Sequence, residues 1–216
     1  MGHLAVLTGA SVAGADVTYV DRVSAPRAPT TVSNVGVRLP AHLTATGRAA
    51  LAMLSRDQVR ALYPHRDALY RRVGPGPATL GELDALLRDT RRRGWAREDG
   101  EITAGYASVA AAAVDRNGYP VASVGVTFRV ESAVSAGVET ERGAAVEAEL
   151  GAAVEAELGA AVRHAAAVEA GLGAAVRQAA VEAGLGAAVR QAAVEAGLGA
   201  AVRQAAAALT ARLAGR

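Results

Sequence analysis

Two apolar runs, Tyr106–Val114 and Pro120–Phe128, are separated by Asp115-Arg116-Asn117-Gly118. Asn-Gly between such runs is the strongest short hairpin signal, because both residues accept the positive φ of a tight reversal. An antiparallel pair is therefore fixed here, and the remaining chain must supply its neighbours. His3–Leu7 and Asp16–Val23 read as short strands, the second alternating Val17, Tyr19 and Asp21 against Thr18, Val20 and Arg22. Between them GASVAGAD, with its near-duplicated GAS and GAD, reads as a loop insertion. Thr30–Val37 reads as a third strand. Ser55-Arg-Asp-Gln58 and Thr79-Leu-Gly-Glu82 have capping-box spacing. They open one helix over Arg56–Tyr63 and a second, with Leu83, Leu86 and Leu87 on one face, that ends near Arg93. Gly74-Pro-Gly-Pro77 breaks the chain between them. Strands, then helices, then a hairpin indicate an α+β fold with an antiparallel sheet and flanking helices.

The stretch Val35–Ala50, VGVRLPAHLTATGRAA, links these parts. Val35, Val37 and Leu39 form an extended apolar segment that runs into Pro40, which cannot continue a ladder. Thr44-Ala45-Thr46-Gly47 follows, small and polar, and then the helix formers Arg48–Leu54. A strand or loop that delivers the chain to a helix start gathers unpaired amides in one place, which suits an anion. The simpler account is a Thr serving as N-cap.

The string G-x-R-L-P-x-H-x-T-A-x-G-R, Gly36–Arg48, resembles the effector-binding domain of the IclR family of bacterial transcriptional regulators. RRRGWAREDGE, Arg91–Glu101, is similar to the family's stretch between helix and strand, and AALTARLAGR to its last helix. The resemblance covers about Gly2 to Phe128 and returns at the end. It implies a GAF-like antiparallel sheet with helices packed on it, and a sensor for a small organic acid or aromatic carboxylate. Carried onto this chain, the amides of Ala45 and Thr46 would receive the effector's carboxylate. Glu98, Tyr106, Ser108, Gly125 and Thr127 would line the walls, with Ser108 and Thr127 as hydroxyl donors. Taken singly, a strand hydroxyl more commonly faces solvent. Gly125 brings no side chain where some relatives carry a hydroxyl or thiol. The resemblance further implies a homodimer or homotetramer, with operator DNA bound only through a winged helix-turn-helix. This chain starts at the first sensor strand, so it is expected not to bind operator DNA on its own, whether as a truncated regulator, a fragment from a misplaced start or a stand-alone sensor.

Charge adds little. All 23 basic residues are Arg, and the acids number 21. Residues 1–140 hold 16 Arg against 13 acids, and residues 141–216 hold 7 against 8. The excess is spread thinly and gives little support for a nucleic-acid patch. Arg91–Arg93 reads as a solvated last helical turn at the carbonyl end of the helix dipole. With no cysteine there is no disulfide framework or thiolate metal site, and no cofactor is expected. His42 reads as a partly buried ring bonded to backbone rather than a metal ligand. The acidic group Glu98, Asp99 and Glu101 has no second histidine near it. There is no G-x-S-x-G elbow, no H-E-x-x-H and no P-loop, so an enzyme is not expected. No apolar run suffices to span a membrane, and the expected setting is cytoplasmic.

From Glu141 the composition changes, which divides the chain into an effector-type domain, 1–140, and a repetitive helical tail, 141–216. GAAVEAEL occurs at Gly143–Leu150 and Gly151–Leu158, and VEAGLGAAVRQAA at Val168–Ala180, Val181–Ala193 and Val194–Ala206. Thirteen residues at about 100° each leave successive repeats about 140° out of phase, so no constant stripe forms. Two glycines per repeat cost about 1 kcal/mol apiece in a helix. The expectation is a long, Ala-rich C-terminal helix, frayed and partly unsupported. The competing view, a structural or interaction protein acting through this tail, is limited by the same phase drift.

Overall fold

A computed structural model of the chain describes residues 1–11, 14–23, 31–130 and 187–214. Strands β1 (Gly2–Ser11), β2 (Gly14–Val23), β3 (Arg38–Pro40), β4 (Ala96–Asp99), β5 (Tyr106–Val114) and β6 (Pro120–Arg129) form one antiparallel sheet in the order β3-β2-β1-β6-β5-β4. Helices α1 (Ala45–Met53), α2 (Arg56–Leu62) and α3 (Leu80–Arg93) and a 3-10 turn (Arg66–Ala68) lie between β3 and β4. Helix α4 (Ala187–Ala214) closes the described chain.

The β5–β6 hairpin turns where Asn117-Gly118 stands. Gly118 has φ +77°, and the Asp115 carboxylate accepts from the amides of Asn117 and Tyr119. Thr44 caps α1, Thr79 caps α3, and Ser55 with Gln58 makes the full capping box of α2. At α3 the box is only half formed. Glu82 reaches back to the Ala78 amide, one residue beyond the cap.

Three strand expectations are corrected. The segment 31–37 is not a strand, because Asn34-Val35-Gly36 turns the chain with Gly36 at φ +85° and a Val37 amide to Asn34 carbonyl bond. The third strand is instead Arg38–Pro40, with Pro40 at its last position opposite Asp16. The first connection is shorter than a loop insertion, since β1 and β2 pair as far as Ser11 and Gly14. A register shift between Leu4 and Ala5 breaks the expected alternation, so Val17 and Tyr19 are buried while Val20 and Asp21 face solvent.

Alternate residues of β5 and β6 serve opposite faces of the sheet. On one face Ala110 and Ala112 meet Ala45 and Ala49 of α1. Gly47 lets the segment leading into α1 fold back on the helix, because a Cβ there would overlap the backbone of Ala41. The larger core, with Leu51, Tyr63, Leu83 and Leu87 fully buried, lies beside it under α1, α2 and α3. On the other face Val109, Ala111, Ala113 and Val126 meet Val202 and Ala206 of α4, with Trp95, Phe128, Leu198 and Leu209 around them.

The described part of the tail is therefore supported, contrary to the frayed helix expected. Phase drift between repeats does not bear on the last repeat, whose own apolar face packs on the sheet. In Val194–Ala206, Glu195 pairs with Arg97 at 2.7 Å, and Gly199 lies so close on the Trp95 ring that a Cβ would overlap it. Beyond the repeat, the Thr210 hydroxyl accepts from the Val114 amide at 3.0 Å. The expected boundary at 140/141 and the repeats before residue 187 lie outside the described residues.

Candidate functional site

Helix α1 starts at Ala45, three residues earlier than its helix formers suggest. Thr44 has extended backbone angles, and its Oγ1 accepts from the Gly47 amide at 3.0 Å. The first turn of a helix leaves its amides without intrahelical partners. Among the described residues no protein acceptor meets the amides of Ala45 and Thr46. Both residues line a small cavity, about 20 Å³, between the start of α1 and the sheet.

The strand pairing builds the opposite wall. Glu98 on β4 stands across from Ser108 on β5, which stands across from Thr127 on β6. Directly opposed residues on one face are within contact distance. The Ser108 and Thr127 hydroxyls are 2.9 Å apart, and Thr127 Oγ1 is 3.1 Å from Nε2 of His3 on β1. The cavity is lined by all seven residues named from the resemblance, Ala45, Thr46, Glu98, Tyr106, Ser108, Gly125 and Thr127. Tyr106 sits half-buried at the rim beneath the Arg129 guanidinium. Gly125 has a packing reason. A Cβ there would come within 2.8 Å of Thr46 Cγ2, so the missing side chain lets the start of α1 settle on the sheet.

Electrostatically the cavity is unusual for holding a buried acid. Burial pushes Glu98 up to about 7, with Glu101 adding to the rise, while a bond from the Ile102 amide and the neighbouring Ser108 hydroxyl oppose it. Tyr19, whose hydroxyl is 3.5 Å from Thr46 Oγ1, is pushed up to about 12 by burial and by Glu98. His3 is held down to about 3, by burial first and then by the Met1 amine and Arg22, so its ring is neutral. His3, Tyr19, Thr31 and Ser33 also line the cavity and were missed by sequence reasoning. The last two come from the segment read as a strand. The position of His3 depends on β1 pairing with β6, across more than a hundred residues of sequence, and no local signal announces it.

Other singled-out residues do structural work nearby. His42 is fully buried, with Nε2 2.9 Å from the Tyr70 carbonyl and its ring edge-on to Tyr63 and Tyr70. Arg48, in the same motif, is buried and bonds the carbonyls of His42 and Arg97 and, at 2.7 Å, the Glu101 carboxylate. It ties α1 to the segment that carries Glu98. Arg91 is not merely solvated, because its guanidinium bonds the carbonyls of Ala52 and Leu54 at the end of α1. Among the described residues no three His, Asp or Glu side chains gather as a metal site, and no helix is long and apolar enough to cross a membrane.

The family model for the C-terminal domain of the bacterial transcriptional regulator IclR matches residues 3–156. The chain belongs to the IclR family. It is 32% identical to the transcriptional repressor IclR of Escherichia coli over 110 residues, which are 51% of this chain and 37% of the repressor. The chain spans about half or less of the length of the curated relatives it matches. Among solved structures, the IclR of Thermotoga maritima aligns with a TM-score of 0.53 at 25% identity, over 59% of this chain and 49% of that one. An IclR homolog from Microbacterium hydrocarbonoxydans, complexed with 4-hydroxybenzoate, aligns with a TM-score of 0.50 at 26% identity, over 69% and 59%. These IclR relatives are transcriptional regulators, not enzymes, and the curled antiparallel sheet with its flanking helices is the IclR C-terminal fold.

Proposed function

We propose that this chain is the effector-sensing part of an IclR-type regulator and takes a small organic acid in the cavity at the start of α1. The observation that carries this reading is the pair of amides at Ala45 and Thr46, in residues that line the cavity and without a protein acceptor among the described residues. A carboxylate placed there would meet the positive end of α1. Tyr106, Ser108 and Thr127 would surround the remainder of the ligand, Glu98 would face it, and Gly125 would leave room for Thr46. In such a regulator the domain would work in the cytoplasm as a homodimer or homotetramer. Operator DNA would be bound by a winged helix-turn-helix, of which the described residues hold none. The tail gives no support to a separate interaction role where it is described, since the apolar residues of its last repeat are spent on the protein's own sheet.

A thermal-shift series with 4-hydroxybenzoate, benzoate, pyruvate and other small carboxylates tests this. Binding to the folded state alone raises the melting point, and the expected result is a rise for at least one acid. Thr46→Pro removes one of the two amides at a place where a helix tolerates proline, and should abolish the response. A flat panel, or an undiminished response in Thr46→Pro, overturns the reading.

A further inference from the structure

Four polar side chains stand in a row across the sheet. Nε2 of His3 reaches Thr127 Oγ1 at 3.1 Å, Thr127 Oγ1 reaches Ser108 Oγ at 2.9 Å, and Glu98 stands directly across from Ser108 in the β4–β5 ladder, within side-chain reach. The other ring nitrogen, His3 Nδ1, is buried and has no partner, although His3 lines the cavity and is only 6% exposed. Each hydroxyl has one proton to donate, so the row has a direction. With Glu98 ionised, Ser108 donates to Glu98, Thr127 to Ser108 and the His3 Nε2–H to Thr127, and Nδ1 is bare. With Glu98 protonated every bond can reverse. Glu98 donates to Ser108, Ser108 to Thr127 and Thr127 to a bare Nε2, which leaves the ring proton on Nδ1. The two states differ by one proton, and the imidazole is neutral in both.

We infer that Glu98, Ser108, Thr127 and His3 form a proton-coupled relay, through which the cavity takes up a monoanionic organic acid together with one proton from solvent. The inference rests on the reading of the cavity given above. Its physical basis is charge. Glu98 is 3% exposed, and a bound carboxylate at Ala45 and Thr46 would place a second negative charge in the same enclosed space. Two anions sharing such a site do not both stay ionised. The cationic group nearest at hand, Arg48 from α1, is committed to Glu101 and to two carbonyls. The remaining groups facing Glu98 give no relief. Glu101 repels it, Tyr19 of β2 is neutral, and His3 of β1 is held neutral by burial, the Met1 amine and Arg22. Protonating Glu98 as the acid enters leaves the cavity's net charge unchanged. The relay also reverses the hydroxyl donors that the ligand meets, which makes Glu98 and His3 specificity-determining residues.

The sign of the pH dependence follows. Below about 7 Glu98 already carries its proton, and above it each binding event must take one from solvent. Calorimetry with 4-hydroxybenzoate, then benzoate and pyruvate, in phosphate and in Tris reads the proton count directly. The expected result is uptake approaching one proton at pH 8 and near zero at pH 6, with Kd about tenfold weaker at pH 8. Glu98→Gln should flatten the pH profile of whatever binding remains. A second readout needs no ligand. Nitrogen-15 NMR of the four histidines should show His3 protonated on Nε2 at pH 8 and on Nδ1 at pH 6, and a single tautomer at both in Glu98→Gln. Binding with no proton uptake, or one His3 tautomer at both pH values in the parent protein, overturns the relay and leaves the effector reading intact. No binding by any acid at either pH overturns both, and the NMR result then shows whether the row of side chains switches without a ligand.

Discussion

The two faces of the β5–β6 hairpin are made from neighbouring residues of the same strands, yet one holds a cavity and the other is sealed. Toward α1 the residues are Ser108, Ala110, Gly125 and Thr127, small or hydroxylated. Toward α4 they are Val109, Ala111, Val126 and Phe128, and Leu198, Val202 and Leu209 press on them. The small side chains leave space beside α1, and the branched and aromatic ones fill it beneath α4. Rigidity on the sealed side lets the open side keep its shape without filling itself.

The contrast is broken most severely by removing the sealing layer. A chain ending at residue 186 loses α4 and exposes Trp95, Val109, Val126 and Phe128. At about 1.5–3 kcal/mol for each large apolar side chain, the loss should reach about 5 kcal/mol or more, comparable to a domain's whole stability. Guanidinium denaturation measures it. Deleting residues 168–180 instead, which leaves the last repeat in place, should move the melting point by less than about 1 °C. A similar fall from both deletions would show that the earlier repeats also support the sheet.

On the open side Arg48→Met leaves the Glu101 carboxylate without its guanidinium. The expected cost is about 3–5 kcal/mol, because one buried charge is then unpaired. Arg48→Met combined with Glu101→Gln should recover much of that in the same denaturation experiment. Third in size is a pH effect. The Glu98 carboxyl has a folded pKa raised to about 7, so the native state binds more protons than the unfolded chain between about 4.5 and 7. Stability should therefore fall as pH rises through that window, by about 3 kcal/mol at most, and level out above it. Glu98→Gln should remove this slope, and a slope that persists assigns it to another group.

The smallest effects come from a pair of glycines two residues apart in α4. Gly197 has nothing near it, and Gly197→Ala should stabilise by about 0.5–1 kcal/mol through helix propensity. Gly199→Ala would drive a methyl into Trp95 and should destabilise by about 1–3 kcal/mol. Equal effects from the two would place the helix elsewhere on the sheet.

Much of the fold was readable where a signal is local. Asn117-Gly118 marks a real reversal, Ser55 and Gln58 make their box, and the antiparallel α+β class follows. What escaped was decided by distant partners. Asn34-Val35-Gly36 is a turn signal hidden inside an apolar run, and the β1–β2 pairing continues through glycines that look like a loop. The propensity of Arg48–Leu54 hid a start at Ala45, because the small residues before it are held by the Thr44 cap and by contact with Ala41. Within the cavity, resemblance pointed to residues on α1, β4, β5 and β6. It gave no hint of His3, which reaches the row only through the β1–β6 ladder. Nor did the tail's period reveal its role, since periodicity describes a free rod, whereas the last unit is held by Trp95 and Arg97.

That attachment bears on how such a chain tolerates change in its gene. Among the described residues, the contacts that fasten the tail, Glu195 to Arg97 and Gly199 to Trp95, belong to the final unit, and Thr210 lies just past it. Recombination among identical units adds or deletes whole multiples upstream of that anchorage. The reading frame and the anchored unit both survive such a change.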